Sequence, residues 1–271
     1  MKDFWDQVLN FAKTTCNKVG SELLADFGQV QPSEKKDGSL ITQSDKWADE
    51  ELCKAIAFHF PDHGILSEES QRIFPNSEWC WVVDPLDGTT NFARGIPLWG
   101  ISLGLLYRGI PVFGYIYMPP LGTSFHGFWY GQTDLKGPRG AFRNNRPIET
   151  CADEPTHNHF FNFCSRSIPI VQHPFPCKIR LLGVASYNFL CVAAGSTIGG
   201  VEATPKVWDI CGAYPIVQAA GGVWQPLDNA QIFPLKPGHD YSDRNFPTLV
   251  VAKPELVRIF QPFVPWAKFN P

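Results

Sequence analysis

Residues 81–92 read WVVDPLDGTTNF and join a strand of buried character to two acids. Three apolar residues lead directly into Asp84, and Asp87 follows three residues later. Pro85 fixes its own φ angle and biases the residue before it towards extended backbone. We therefore predict a strand that ends in a tight turn, which directs both carboxylates and the Leu86 carbonyl to one point.

The residues after the second acid are suited to binding an anion. Gly88 allows the backbone to approach a ligand closely. If a helix begins at Gly88-Thr89-Thr90, its first N–H groups are available to a phosphate. The alternative is a strand-to-helix turn in which the aspartates act only as caps.

Further acids lie beside apolar residues at the ends of predicted elements: Asp45, Glu68, Glu69 and Asp209. Burying an unpaired carboxylate costs on the order of several kcal/mol, and basic residues are scarce nearby. Mg²⁺ prefers carboxylate and carbonyl oxygens, and two such ions about 3.5–4 Å apart are a standard device for displacement at phosphorus. The acids therefore indicate a divalent-metal centre that acts on a phosphate ester.

The composition indicates a large folded protein without a bias towards nucleic acid. The 271 residues are enough for one domain, residues 1–271, with two subdomains that we expect to part near 150–180. The net charge of −3 gives no basic signal for nucleic acid. No apolar run approaches the roughly 18 residues of a membrane span. We expect a cytoplasmic protein with neither nucleic-acid nor membrane partners.

Eight cysteines are scattered along the chain without a CxxC pair, which argues against zinc binding and against a disulfide framework. We expect buried free thiols instead. His157 and His159 could ligate a metal, but their polar loop favours ordinary surface histidines.

Hydrophobic periodicity predicts helices at both ends of the chain and a β-rich middle. We predict helices over 3–27, from Thr42 or Ser44 to about His59, over 187–195, over 208–222 and from Pro254 onwards. The polar residues 29–41 are expected to form a mobile loop, and Arg108-Gly109 a hairpin turn. The overall pattern is one of layered helices and mixed sheets.

Four segments of the chain resemble, in order and spacing, the motifs of the inositol monophosphatase family. WVVDPLDGTTNFAR at 81–94 and WDICGAYPIVQAAGG at 208–222 match its two long signatures throughout. SEES resembles the family's GEES, with Ser67 in place of Gly. KKDGSLITQSD at 35–45 resembles its Lys-containing loop and Thr-x-x-Asp element, with Ser44 where Ala or Thr is commoner. The resemblance implies an α/β fold, the layered αβαβα sandwich of the inositol monophosphatase/fructose-1,6-bisphosphatase type.

The resemblance also implies a site for two Mg²⁺ ions and a weaker third. The residues that match the ligands of the first ion are Glu68, Asp84 and the Leu86 carbonyl. Those that match the ligands of the second are Asp84, Asp87 and Asp209. Glu68 and the loop over 29–41 contribute to the third ion. Glu69 positions Glu68 without being a ligand itself, and the loop lysine is Lys35 or Lys36.

The reacting groups are likewise implied by the resemblance. Asp45 and Thr89 match the pair that orients and deprotonates the attacking water, beside Glu68, and the amides of Gly88 and Thr89 match the phosphate cradle. The implied enzyme is a lithium-sensitive phosphomonoesterase that forms a homodimer. The aromatic-rich hairpins over Trp99–Tyr117 and Phe125–Tyr130 could cover a dimer face or could be ordinary core.

The residues that match the family's contacts with the alcohol portion of the substrate are Gly183, Ala185 and Glu202, together with Asp87. Val184 stands where the family often has Ser or Thr, so one possible hydrogen bond to substrate is missing. Glu202 matches an acid that binds substrate hydroxyls, and the same acid could meet the amino group of histidinol phosphate. The alternative is an acid on an exposed strand end.

Four functions remain open at this point. The preferred one is hydrolysis of inositol 1-phosphate or a similar phosphorylated cyclic polyol. The second is hydrolysis of histidinol phosphate, because KKDGS resembles the loop of that branch. The third is a broader sugar phosphatase acting on fructose 1,6-bisphosphate, or a nucleotide 3′-phosphatase. The fourth is a non-catalytic interaction protein that reuses the fold.

Overall fold

The computed structural model describes residues 2–35 and 38–266. The helices are α1 Lys2–Asp26, α2 Gln43–His59, α3 Thr89–Ala93, α4 Ala185–Ala193, α5 Val207–Cys211, α6 Ala213–Ala219 and α7 Glu255–Phe260. The strands are β1 Ser33–Glu34, β2 Leu40–Ile41, β3 Gly64–Ser67, β4 Trp79–Asp87, β5 Gly100–Tyr107, β6 Ile110–Met118, β7 Thr123–Phe128, β8 Gly140–Arg143, β9 Arg146–Ile148, β10 Phe160–Phe163, β11 Lys178–Arg180, β12 Gly199–Glu202, β13 Val223–Pro226 and β14 Thr248–Val251.

Two large sheets organise these elements. Strands β3 to β9 form a seven-stranded sheet in chain order, antiparallel except for the parallel pair β3–β4. The second sheet has five strands in the order β11-β10-β12-β14-β13. The chain passes from the first sheet to the second between Ile148 and Phe160, and a division into two subdomains near 150–180 stays a prediction.

The helices form three layers around the two sheets. Apolar residues of α1 and α2 share one core cluster with one face of the seven-stranded sheet, whereas α4, α5 and α6 share another with its opposite face. On β10, Phe161 packs against Phe260 of α7 with ring centroids 4.6 Å apart. The next residue, Asn162, donates to the Asn188 carbonyl of α4, so α4 and α7 cover opposite faces of the five-stranded sheet. The αβαβα prediction is confirmed.

Strand β4 shows how the sequence directs side chains to the two cores. Trp81 and Val83 belong to the cluster under α1 and α2, whereas Cys80 and Val82 belong to the cluster in the middle layer. Successive side chains of a strand point to opposite faces. The same alternation turns Asp84 towards the middle layer, where α5 lies.

The predicted tight turn at DPLD is wrong, because β4 continues through it as a bulged strand. Asp84 pairs with Ser102, whereas Asp87 pairs with Gly100, so three steps along β4 match two steps along β5. A β-bulge of this kind adds one residue and changes the face to which the following side chains point. It brings Asp87 to the same end of the sheet as Asp84 without ending the strand.

The predicted helix over 208–222 is also wrong in detail, since α5 and α6 are separate. Pro215 has no N–H to donate to the Cys211 carbonyl, and α5 ends at Cys211. Both short helices lie directly on the backbone of the seven-stranded sheet, over Gly104, Gly114 and Gly127 on neighbouring strands. A Cβ on these three glycines would lie 2.7 Å from Cys211 C, 1.8 Å from Gly212 O and 2.7 Å from Ile216 Cα respectively. We call these three residues the glycine row.

Two further expectations are corrected by long-range contacts, and burial favours one of two open alternatives. Helix α4 begins at Ala185 instead of 187, because Asp87 accepts hydrogen bonds from its first-turn N–H groups. The expected loop over 29–41 contains the paired strands β1 and β2, although Lys36 lies outside the described residues. The aromatic residues Trp99, Phe125 and Tyr130 are buried within the chain, which favours ordinary core over a dimer face.

The remaining predictions concern cysteines and membrane spans. All eight cysteines are free, and four of them are buried: Cys16, Cys80, Cys177 and Cys211. His157 is exposed and His159 is half-buried in the loop before β10. Among the residues that the structure describes, no helix combines the length and the apolar character needed to cross a membrane.

Candidate active site

Three carboxylates meet where β4 ends and α5 begins. Ligand atoms of Asp84, Asp87 and Asp209 all lie within 4.8 Å of one another. The bulge in β4 supplies the first two, and α5, resting on the glycine row, supplies the third. Like charges at this separation repel strongly in a buried site, so the arrangement needs a compensating positive charge.

Asp84 is the most buried of the three and has an unsatisfied oxygen. Its side chain is 1% exposed, and Oδ1 accepts a hydrogen bond from Leu86 N at 3.0 Å. Oδ2 is buried without a hydrogen-bond partner among the described residues. Burial, followed by the charges of Glu68, Asp87 and Asp209, holds the pKa of Asp84 well above its usual range. An orphaned carboxylate oxygen beside two other carboxylates fits a divalent cation.

The other two aspartates are oriented by backbone N–H groups. Asp87 accepts from Ala185 N at 3.2 Å and from Ser186 N at 2.7 Å, which caps α4. Asp209 accepts from Lys206 N at 2.6 Å. Burial raises the pKa of Asp87 despite its hydrogen bonds, and burial together with the charges of Asp87 and Glu68 raises that of Asp209. Each carboxylate is thus held rigidly by the backbone.

Glu68 and Glu69 follow β3 and share one lysine. Lys35 Nζ lies 2.7 Å from Glu68 Oε1 and 2.5 Å from Glu69 Oε1. Burial raises the pKa of Glu68 to about 7, and Lys35 opposes the shift. Burial by itself would lower the pKa of Lys35, but the two glutamates raise it. Lys35 therefore stays positively charged and connects the β1–β2 segment to the acids.

Asp45 and Thr89 form a hydrogen-bonded pair beside the aspartates. Thr89 Oγ1 lies 2.9 Å from Asp45 Oδ1 and 3.1 Å from the Leu86 carbonyl oxygen. The other carboxylate oxygen of Asp45 accepts from the N–H of Thr42 at 2.7 Å and from its hydroxyl at 2.5 Å. Thr42 in turn caps α2. Burial raises the pKa of Asp45.

Gly88 allows two parts of the site to approach closely. Its φ angle of +97° is in the left-handed region, and a Cβ there would lie 2.9 Å from Val184 Cγ2 and 3.2 Å from Leu98 O. The N–H groups of the first turn of a helix have no acceptor within that helix, and α3 begins at Thr89. A backbone surface of this kind suits an anion.

The far side of the cavity is formed by α4 and the end of β12. Glu202 is 5% exposed and accepts a hydrogen bond from Asn188 Nδ2. Burial raises the pKa of Glu202 to about 7. Gly183 and Ala185 lie at the start of α4, on the same cavity. The alternative of an acid on an exposed strand end is therefore wrong.

A cavity of about 320 Å³ joins these groups. Ten of the predicted residues line it: Glu68, Asp84, Leu86, Asp87, Gly88, Thr89, Gly183, Ala185, Glu202 and Asp209. Asp45 and Glu69 lie behind the lining, in contact with Thr89 and Lys35. The sequence did not predict Cys164, Ser165, Arg166 or Thr204, which also line the cavity. No motif marks them, although all four follow β10 or β12 directly.

Comparison with known proteins gives a consistent result. A sequence profile of the inositol monophosphatase family matches residues 5–254. An inositol-1-monophosphatase of Synechocystis sp. is 31% identical over 234 residues, which cover 81% of this chain and 79% of that protein. A histidinol-phosphatase of Chlorobaculum parvum is 28% identical over 225 residues, with coverage of 79% and 83%. A solved structure, an IMPase of Thermotoga maritima, matches with a TM-score of 0.78 at 26% identity and covers 93% of this chain and 94% of its own.

Proposed function

The chain belongs to the inositol monophosphatase family and is a phosphomonoesterase, and we propose that its preferred substrate is inositol 1-phosphate. The observation that carries the proposed chemistry is the meeting of Asp84, Asp87 and Asp209 with one orphaned carboxylate oxygen. In the reaction, the oxygen of a water molecule forms a bond to phosphorus, and the bond from phosphorus to the alcohol oxygen breaks. The alcohol leaves with a proton.

The acids would hold two Mg²⁺ ions, with a weaker third beside Glu68. The first ion would be held by Glu68, Asp84 and the Leu86 carbonyl, and the second by Asp84, Asp87 and Asp209. Bound Mg²⁺ supplies the activation of water and the stabilisation of negative charge on the phosphoryl oxygens. The raised pKa values of Asp84 and Asp209 support this assignment. Burial is their main cause and repulsion between the acids adds to it, and a bound cation would stabilise the charged carboxylates against both.

The proton of the attacking water is assigned to Thr89 and Asp45. Thr89 Oγ1 can take a proton from water while it gives its own to Asp45 Oδ1, 2.9 Å away. A raised pKa makes Asp45 a better base, and Thr42 holds the carboxylate in place. Glu68 lines the same cavity and is the third residue that we assign to catalysis, after Asp45 and Thr89.

The phosphate group is assigned to the backbone N–H groups of Gly88 and Thr89. The close approach of Val184 and Leu98 to Gly88 leaves no space for a side chain there, so the backbone itself faces the cavity. Hydrogen-bond donors fixed in advance stabilise developing charge without reorganisation. The equatorial oxygens of the phosphoryl group would accept these bonds.

The alcohol is assigned to Glu202, Gly183, Ala185 and Asp87. Glu202 is the main candidate for recognising hydroxyl groups, because Asn188 fixes its orientation and the cavity reaches it. A buried acid selects strongly for a partner that can donate a hydrogen bond. The similarity to the Synechocystis inositol-1-monophosphatase supports a polyol as that partner.

Histidinol phosphate is the second candidate substrate. The similarity to the Chlorobaculum parvum histidinol-phosphatase supports it, and an amino group is as good a donor to Glu202 as a hydroxyl. Fructose 1,6-bisphosphate and nucleotide 3′-phosphates remain open as broader substrates. Inhibition by Li⁺, a homodimeric state and a cytoplasmic location stay predictions from the family resemblance and the composition.

The deciding experiment is a substrate panel with saturating Mg²⁺. The panel contains inositol 1-phosphate, histidinol phosphate, fructose 1,6-bisphosphate and adenosine 3′,5′-bisphosphate, and phosphate release gives kcat/KM for each. The highest kcat/KM is expected for inositol 1-phosphate. A much higher kcat/KM for histidinol phosphate would overturn that substrate assignment, and no release from any of the four would overturn the catalytic proposal.

A further inference from the structure

A second group of metal-ligating side chains lies in the connection between β9 and β10. Ligand atoms of Cys151, Asp153 and His159 all lie within 4.8 Å of one another. None of these three residues lines the active-site cavity. One residue separates the first two in the sequence and five residues separate the last two, so the group has no CxxC spacing. It forms only because the loop turns back between Asp153 and His159.

The three side chains offer one sulfur, one oxygen and one nitrogen atom, which suits a transition metal better than Mg²⁺. Mg²⁺ takes oxygen ligands, whereas Zn²⁺ binds thiolate, carboxylate and imidazole groups with bond lengths of about 2.0–2.3 Å. In a tetrahedral site these lengths place the ligand atoms about 3.3–3.6 Å apart. His159 Nε2 already lies 3.3 Å from Asp153 Oδ2. The Cys151 sulfur therefore needs to approach the other two atoms by no more than about 1 Å.

Both ends of the loop are fixed to the five-stranded sheet. Thr150, the residue before Cys151, donates from Oγ1 to the Ala252 carbonyl at 2.8 Å, just beyond the end of β14. His159 directly precedes β10, and its carbonyl accepts from Lys178 N at 2.9 Å. Because the first and the last ligand are held in advance, less conformational freedom is lost when a metal binds.

The thiol and the imidazole each have a neighbour that supports the metal-bound form. Asp153 N donates to Cys151 Sγ at 3.4 Å, and a hydrogen bond of this kind becomes stronger when its acceptor carries a charge, as a thiolate does. Thr156 Oγ1 lies 2.9 Å from His159 Nδ1. The hydroxyl can accept a hydrogen bond from Nδ1 when Nε2 binds a metal, which is the usual arrangement around a ligating histidine.

Metal binding at this group requires two protons to move. Without metal, His159 Nδ1 accepts from Thr156 N at 3.0 Å, which leaves the imidazole proton on Nε2, beside Asp153 Oδ2. When the metal binds, this proton moves to Nδ1 and the Cys151 thiol releases its own proton to water. Thr156 is exposed, so a water molecule can accept the hydrogen bond from its N–H group.

We propose that Cys151, Asp153 and His159 form a site for one Zn²⁺ ion or another transition-metal cation of the same class, with water as the fourth ligand. The ion joins the beginning and the end of the connection between the two sheets and stabilises it. The site shares no residue with the proposed Mg²⁺ centre, so this inference does not depend on the proposed function. The competing explanation is that Asp153 and His159 form only a hydrogen bond that closes the loop.

The first measurement uses Co²⁺ as a coloured substitute for Zn²⁺, added to the reduced full chain with saturating Mg²⁺. We expect a thiolate-to-cobalt charge-transfer band that saturates at one Co²⁺ per chain and disappears when Zn²⁺ is added. Cys151→Ser should abolish the band, whereas Cys191→Ser, at a half-buried cysteine on α4, should keep it. No thiolate band in the wild type, or a band that survives in Cys151→Ser, would overturn the inference.

The second measurement compares two histidines of the same loop by their effect on Zn²⁺ affinity. His159→Gln should weaken Zn²⁺ binding by about a hundredfold or more, because loss of a direct ligand costs at least as much as loss of a residue that supports one. His157→Gln, at an exposed position two residues away, is the matched control and should bind Zn²⁺ like the wild type. Competition with a chelating dye gives both dissociation constants, and equal constants for the two variants would contradict the site.

Thermal unfolding with saturating Mg²⁺ tests whether the ion stabilises the loop. Added Zn²⁺ should raise the Tm of the wild type and of His157→Gln, because a ligand that binds only the folded state stabilises it. It should have little effect on Cys151→Ser or His159→Gln. An equal rise in all four proteins would place the Zn²⁺ elsewhere and overturn the inference. Phosphate release with Mg²⁺ alone should be the same in all four, which keeps this test separate from that of the proposed function.

Discussion

The two ends of the active-site cavity are built in different ways. At the metal end, backbone N–H groups hold the carboxylates. Those of Leu86 and Lys206 hold Asp84 and Asp209 from nearby in sequence, whereas those of Ala185 and Ser186 hold Asp87 from about a hundred residues away. At the alcohol end, Glu202 at the end of β12 is held by the side chain of Asn188 on α4. The carboxylates of the metal end are therefore held by the backbone, whereas the acid of the alcohol end is held by a side chain of a neighbouring element.

The difference has a functional consequence. A carboxylate cluster held by backbone N–H groups keeps its geometry when side chains elsewhere in the cavity change, so the reaction it supports can stay constant. The alcohol end can be altered by a change of the side chain at Glu202 or Asn188, which leaves the backbone N–H groups that hold that cluster in place. Relatives whose names give esters of different alcohols as substrates, an inositol phosphate in one and histidinol phosphate in the other, fit this division.

The strongest test of the metal end is Asp84→Asn. We expect kcat/KM to fall by about a thousandfold or more, since several kcal/mol of transition-state stabilisation depend on the ligand that both proposed ions share. Mg²⁺ should raise the Tm of the wild-type protein and have little effect on the variant. Asp6→Asn on the exposed face of α1 is the control. Mg²⁺-dependent phosphate release that persists in Asp84→Asn would contradict the assignment.

The second test removes the Thr89 hydroxyl, which is the proposed acceptor of a proton from the attacking water. Thr89→Val should lower kcat by about 10²–10³-fold, in the range typical of lost general-base catalysis, because the variant has no hydroxyl between water and Asp45. Thr14 on α1 is exposed and does not line the cavity, so Thr14→Val is the control and should stay within about threefold of the wild type. Steady-state kinetics with saturating Mg²⁺ decide the matter, and equal effects of the two substitutions would rule out the proposed relay.

The third test addresses the alcohol end. Glu202→Gln should raise the KM for inositol 1-phosphate about tenfold, as expected for a charged hydrogen bond replaced by a neutral one, and should change kcat much less. A fall in kcat with an unchanged KM would instead place Glu202 in the chemical step.

Glu202 also predicts a pH dependence of stability. Its pKa of about 7 in the folded protein lies above the ordinary value of 4.5, so the folded state binds the proton more tightly than the unfolded state. Stability should therefore fall as the pH rises from about 5 to about 8. Glu202→Gln lacks this term and should be more stable than the wild type at about pH 8, by on the order of 1–3 kcal/mol. Urea unfolding without metal gives the free energy of unfolding of both proteins at about pH 5 and about pH 8. An equal difference between the two proteins at both pH values would refute this prediction.

The smallest expected effect concerns Ser67, the residue that precedes Glu68 at the end of β3. Ser67 Oγ donates to Asp49 Oδ1, and both side chains are buried. Ser67→Ala should lower the free energy of unfolding by about 1–3 kcal/mol, because a buried carboxylate loses a partner. Ser196→Ala, at an exposed position, should cost less than about 0.5 kcal/mol. Urea denaturation measures both, and similar losses for the two variants would count against a structural role for Ser67.

The acids of the metal end could be predicted because two long sequence motifs contain them. The spacing of Asp84 and Asp87 and the two long signatures predicted which acids meet, and the structure brings them together. The shape of DPLD was predicted wrongly, because a bulge depends on pairing with β5. The start of α4 was missed for a related reason: its cap, Asp87, is about a hundred residues away.

Two departures from the family motifs also become clear only in three dimensions. Ser44, at a position where Ala or Thr is commoner, donates to Asp26 Oδ2 at 2.7 Å and connects α2 to α1. Ser67, in place of Gly, bonds to Asp49 of α2. Neither partner is near in sequence, so no motif could predict the pairing. Both substitutions add contacts between α2 and its neighbours behind the catalytic acids.

The residues of the glycine row affect the active site although they do not contact a substrate. Asp209 reaches the other aspartates because α5 lies on bare strand backbone, and the nearest atoms of Cys211 and Gly212 leave no space for a methyl group at Gly104 or Gly114. The height of the helix above the sheet thus sets the position of Asp209, a proposed metal ligand. In a random search for inactivating substitutions, we expect these interior glycines to behave as members of the catalytic centre.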